Sequence, residues 1–102
     1  MIFKRRRYKD VIERQLDIFV SEDGDLLDDV DRALERYNAA DRDEAEELYG
    51  DYQLAIEAAT DRLGELRDAF ARTLDDPDGY VAEFSRAVVD RWPELALTIE
   101  ES

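Results

Sequence analysis

Apolar residues recur every three to four positions along nearly the whole chain. Between Tyr8 and Asn38 they fall at Ile12, Leu16, Phe19, Leu26, Val30, Ala33 and Tyr37, with Asp23 in the one missing place. That period is the signature of one helix face. It predicts a first helix over residues 8–38. Ser21-Glu22-Asp23-Gly24 is its weak point, because glycine costs about 1 kcal/mol in a helix interior. The apolar phase survives this tetrapeptide, so one long helix, bent or weakened near Gly24, is expected. The alternative is two helices with a short break and Ser21 as the second cap.

Asn38-Ala39-Ala40-Asp41 reads as a turn. Asp41 suits a helix N-cap, and Glu44 three residues on makes a capping-box-like pair. A second helix over residues 42–74 then carries the clearest periodicity: Ala45, Leu48, Tyr52, Ala55 with Ile56, Ala59, Leu63, Leu66, Phe70 and Leu74. Its first turns hold Asp43, Glu44, Glu46 and Glu47, where the helix dipole favours negative charge. Gly50 and Gly64 lie off or beside this stripe, as points of close helix approach or mild propensity defects.

Asp75-Asp76-Pro77 is a helix start, with Asp76 as cap and Pro77 in the first position. A third helix over 77–92 places Tyr80, Val81, Phe84, Ala87, Val88 and Trp92 on one side. Pro93 must interrupt it, since proline has no amide to donate and restricts the residue before it. Residues 93–99 are expected to add a short helical turn, and Glu100-Glu101-Ser102 to fray. The whole predicts a single all-α domain over residues 1–102: a long antiparallel helical hairpin plus a shorter C-terminal helix. One short helix cannot cover two long ones. A second copy is therefore expected to cover the remainder, giving a homodimeric, coiled-coil-like helical bundle.

Charge adds a polarity that the apolar pattern does not show. Residues 1–9 hold Lys4, Arg5, Arg6, Arg7 and Lys9 with no acid, so a +5 arm precedes a body of −19, within a total of −14. The hydrophobic content of 44% is nevertheless that of a folded domain. The basic arm over 1–7 is read first as a solvated segment pairing with acids of its own chain or of a partner. It also fits contact with an anionic surface through the same five cations. One form of that contact is peripheral membrane association through residues 2–20, with Ile2 and Phe3 inserting. Phosphate contact with nucleic acid is opposed by the acidic body.

Absent residue types narrow the chemistry further. With no cysteine there is no disulfide, thiolate metal site or thiol nucleophile. With no histidine, serine–histidine triads and histidine metal motifs are excluded. A carboxylate-metal-binding helical bundle needs acids pointing inward from two helices, and the stripes offer only Asp23. Asp23-Gly24-Asp25 lacks the spacing of a calcium loop. No enzyme, cofactor or metal site is expected. Leu48-Tyr49-Gly50-Asp51-Tyr52 draws attention as two tyrosines flanking a glycine. Leu48, Tyr49, Tyr52, Leu63, Leu66 and Phe70 are the expected helix-packing or partner surface.

No run approaches the roughly 18 apolar residues of a membrane span, and no apolar stretch follows the basic start as in a secretory signal. A cytoplasmic protein is expected. Basic residues are nearly all arginine, as in a GC-rich or salt-adapted proteome. The expected function is a non-enzymatic protein–protein interaction module, adaptor or regulator.

Overall fold

Ile12, Leu16 and Phe19 before Gly24, and Val30 and Ala33 after it, are all buried on one side of a single element, α1 (Lys9–Asn38). A computed structural model of the chain describes residues 7–101. The expected weak point is real: Asp23 leaves helical geometry at φ −123°, ψ 21°, and the helix kinks there. The Asp23 carboxylate accepts a hydrogen bond from Arg62 Nε at 3.1 Å, so the one acid in the apolar stripe is half-buried but paired. Eleven residues separate Phe19 from Val30, close to three helical turns, which keeps both halves of α1 facing the same neighbour.

Ala39 and Ala40 close the turn by donating to the carbonyls of Glu35 and Tyr37. The chain then reverses into α2 (Arg42–Ala71), antiparallel to α1. Asp41 occupies the N-cap position with an extended backbone, but its side chain makes no capping bond. The Glu44 amide donates to the Asp41 backbone carbonyl instead, at 3.0 Å. α2 ends before the expected residue 74. Thr73 and Leu74 donate to the carbonyls of Phe70 and Ala71, and the Thr73 hydroxyl also takes the Phe70 carbonyl at 2.7 Å. These three-residue bonds tighten the last turn out of α-helical geometry. Leu74 still packs its side chain against the core.

The third helix, α3 (Pro77–Arg91), starts as expected, with Asp76 Oδ1 accepting from the Gly79 amide at 3.2 Å. Trp92 belongs to the junction rather than to the helix. Its backbone is extended (φ −135°, ψ 79°), as the following proline demands. Residues 93–99 are not one turn. Pro93–Leu95 form a 3₁₀ turn, and a short helix, α4 (Ala96–Glu101), follows, so Glu100 and Glu101 are helical rather than frayed. Leu95 and Ile99 are fully buried, because α4 folds back against α2 and α3.

These contacts place α3 alongside the first half of α1 and antiparallel to the second half of α2. Phe70 meets Tyr80, and Phe19 meets Trp92 edge-on at 5.7 Å. The core is Ile12, Leu16, Phe19, Ile56, Ala59, Leu63, Ala71, Tyr80, Phe84, Val88, Leu95 and Ile99, and it reaches Val30 along α1. The molecule is 55 × 26 × 18 Å, and most of this core lies at one end of it. We call that the proximal end. The other end, α1 from Asp25 onward and α2 up to Ala55, is a two-helix arm. No strand occurs among the described residues.

Candidate interaction surface

The six residues expected to form a packing or partner surface divide between the two ends. Leu63 is wholly buried in the proximal core, while Leu66 and Phe70 are half-buried against it. Phe70 places its ring 5.0 Å from Tyr80. Leu48, Tyr49 and Tyr52 stand on the arm. Tyr37 of α1 meets Tyr49 at 5.3 Å, and Tyr49 meets Tyr52 at 6.3 Å, so three rings form a ladder along the hairpin. Tyr49 is 44% exposed. Burial, then the charge of Glu94, then Tyr49 raise the Tyr52 hydroxyl above the usual tyrosine range. The 3₁₀ turn therefore sits within electrostatic reach of the ladder.

Of the basic arm, Lys4, Arg5 and Arg6 lie outside the described residues. Arg7 stands 3.8 Å from Asp76 and over the Tyr8 ring, and Lys9 pairs with Glu13 at 3.0 Å. Two of the five cations thus meet acids of their own chain.

A cleft of about 440 Å³ runs between α1 and α3. Its floor is Ile12, Leu16 and Ala87, and its rim is charged. The rim is largely satisfied internally: Lys9 pairs with Glu13, Arg91 donates to Asp17 at 2.9 Å, and Glu83 accepts from the Tyr8 amide at 3.2 Å. Of its acids, Glu13 and Asp17 are held in ion pairs. Among the described residues no group of three or more Asp or Glu side chains could hold a metal ion. Asp23, within the calcium-loop-like tripeptide, is bound to Arg62.

Another cleft, about 400 Å³, lies where the proximal end gives way to the arm. Val20, Gly24, Leu27, Asp28 and Asp31 of α1 face Trp92 and Glu94 across it. Val20, Leu27 and Leu34 fall at seven-residue spacing, which repeats one flank of a helix. Leu34 continues this flank into the arm and is 36% exposed. Sequence reasoning had placed Val20 in the candidate membrane-contact segment 2–20 but had assigned neither Leu27 nor Leu34 to a surface. Their heptad spacing was available, but the main stripe beside it drew the eye.

Arg67 was also missed. It is 4% exposed, donates to Asp68 at 2.8 Å and to the Ser85 hydroxyl at 3.3 Å, and borders a crevice shared with Ile99. A buried guanidinium is retained only when its donors are met, and here it ties α2 to α3. Comparison with known protein families, with curated proteins and with solved structures finds no match to the chain. No helix among the described residues is long and apolar enough to cross a membrane.

Proposed function

We propose that this protein is a non-enzymatic helical interaction module, an adaptor or regulatory element, whose proximal end is the scaffold and whose arm meets the partner. The observation that supports this most directly is the half-covered arm. Leu27, Tyr37, Leu48 and Tyr52 are only half-buried, and Leu34 and Tyr49 are exposed beside them. Two helices alone can bury one line of contact, here Val30 and Ala33, and must leave the flanking apolar residues to water or to a partner. Tyrosines are suited to such a face, since the ring is apolar and the hydroxyl tolerates water. A second copy of the chain is one partner of this class.

The test is affinity capture on the immobilised full chain from extract of the source cells at physiological salt, with sedimentation equilibrium of the purified protein alongside. A stoichiometric protein partner, or a defined dimer, is the expected result. A strictly monomeric chain that retains nothing above the blank matrix would overturn the reading.

A further inference from the structure

The proximal end shows what the α1–α2 groove accepts. There α3 lies against both helices of the hairpin and inserts Tyr80, Phe84 and Val88, at i, i+4 and i+8, all fully buried. That is the spacing with which an amphipathic helix fills a groove. The filling stops abruptly, and the cause is local: Pro93 ends the helix, Trp92 turns extended, and α4 folds back toward α2 and α3. The hairpin itself does not stop. Past the cleft that Leu27 shares with Trp92 and Glu94, it carries the exposed Leu34 on α1 and the Tyr52–Tyr49–Tyr37 ladder between α2 and α1.

This open stretch lies in a predominantly acidic segment. Residues 25–55 carry eleven acidic and three basic side chains, a net charge of −8. Asp28 and Asp31 stand at the mouth of the cleft beside Glu94. A second copy laid arm against arm would bring −8 onto −8, and like charges across an interface oppose association. A nucleic acid is excluded by sign. An apolar floor between acidic walls matches a helix with the opposite pattern.

We propose that the exposed apolar face of the α1–α2 arm docks a basic amphipathic helix of a partner protein, placed in line with α3. This rests on the interaction-module reading and supplies the chemistry of its partner. The arm from Leu26 to Asn38 is thirteen residues, about 20 Å at 1.5 Å per residue, so it accommodates a partner helix of three to four turns. Apolar residues at i, i+3 or i+4, and i+7 meet Leu27, Leu34 and Tyr49. Lysine or arginine on both flanks meets the acidic walls.

The probe is a fluorescein-labelled peptide of about 14 residues with leucines at that spacing and lysines elsewhere, long enough for one such helical face. A scrambled peptide of identical composition is the control. Binding to the full-length protein is read by anisotropy. The inference expects the patterned peptide to bind at least tenfold more tightly than the scramble, more weakly as salt rises, and at least tenfold more weakly to the double variant Leu34→Ser with Tyr49→Ser. Both residues are exposed, so the variant keeps its fold, checked by an unchanged thermal transition. Equal binding of both peptides, or of wild type and variant, would reduce the interaction to net charge and overturn the inference. If extract capture or self-association succeeds while the patterned peptide fails, the interaction reading stands and this occupant is wrong. If capture and peptide both fail, both readings fall.

Discussion

The two ends of this molecule are built from the same two helices, yet one is a packed core and the other an open hairpin. At the proximal end α1 and α2 gain α3, the 3₁₀ turn and α4, and large side chains such as Phe19, Leu63, Tyr80 and Phe84 become fully inaccessible. In the arm the same helices bury Val30 and Ala33, and the larger residues stay at the boundary. The periodicity of α2 runs through both ends without a change of character, so the stripe alone does not distinguish them. What differs is the number of elements that reach each end, fixed by where Pro93 turns the chain back. A helical stripe states that burial is wanted; it does not state by what. Burial is thereby unequal, with most of the buried apolar area, at roughly 25 cal/mol per Å², at one end.

The sharpest way to break this comparison is to place a charge at each end. Leu63→Asp buries an unpaired carboxylate among apolar neighbours, and a loss of cooperative thermal unfolding is expected. Leu34→Asp at the arm surface is expected to keep a cooperative transition. Equal damage from both would show that the arm is part of one continuous core.

Truncation of a core ring comes next. Phe84→Ala removes a fully buried aromatic and is expected to cost about 3–5 kcal/mol in chemical denaturation. Leu34→Ala is expected to cost under about 1 kcal/mol, because an exposed side chain leaves no cavity.

A pH titration separates the ends by their tyrosines. Tyr80 is buried, donates its hydroxyl to Gln15 Oε1 at 3.1 Å, and is pushed up to about 12 by burial and by the charge of Glu83. An unfolded tyrosine ionises near 10. The folded state therefore holds this proton while the unfolded state releases it. The stability so conferred is complete below about pH 10 and is lost as pH rises toward 12, roughly 2–3 kcal/mol in all. Unfolding measured across that window should lose this component in Tyr80→Phe. An unchanged pH dependence in the variant would remove Tyr80 as its source.

The smallest effect sharpens the arm itself. Gly50 lies inside α2 with a negative φ, and an added Cβ meets nothing within 4 Å. Gly50→Ala is expected to raise stability by about 0.5–1 kcal/mol and to slow amide exchange in the arm. No change would mean that the arm frays independently of global unfolding.

Much of this architecture was legible beforehand. The all-α class, the turn at Asn38–Asp41, the defect before Gly24 and the Asp76–Pro77 start follow from local chemistry, since they depend on residues within one or two turns of each other. The end of α2 was missed because Leu74 keeps the apolar phase while Thr73 captures the Phe70 carbonyl, a side-chain choice that periodicity does not register. A short helical turn over 93–99 was legible, but its division into a 3₁₀ turn and α4, and the reach of α4 to Glu101, were not, because six residues after a proline carry too little pattern. The arm surface was half legible. Tyr49 and Tyr52 stood out as large aromatics at helical spacing, whereas Leu27 and Leu34 did not.

The sequence by itself determined which stretches are helical, which flank of each is apolar, and where charge of each sign accumulates. These are properties of near neighbours along the chain and of the 3.6-residue turn. Only the tertiary structure decided which part of the apolar stripe is covered. It set Arg67 in a buried link between helices and Asp23 in a pair with Arg62 39 positions away. It also left Leu34 and Tyr49 exposed on the arm. Each of these depends on how far the chain travels before it returns, and burial is a property of the elements that meet, not of the residues that invite them.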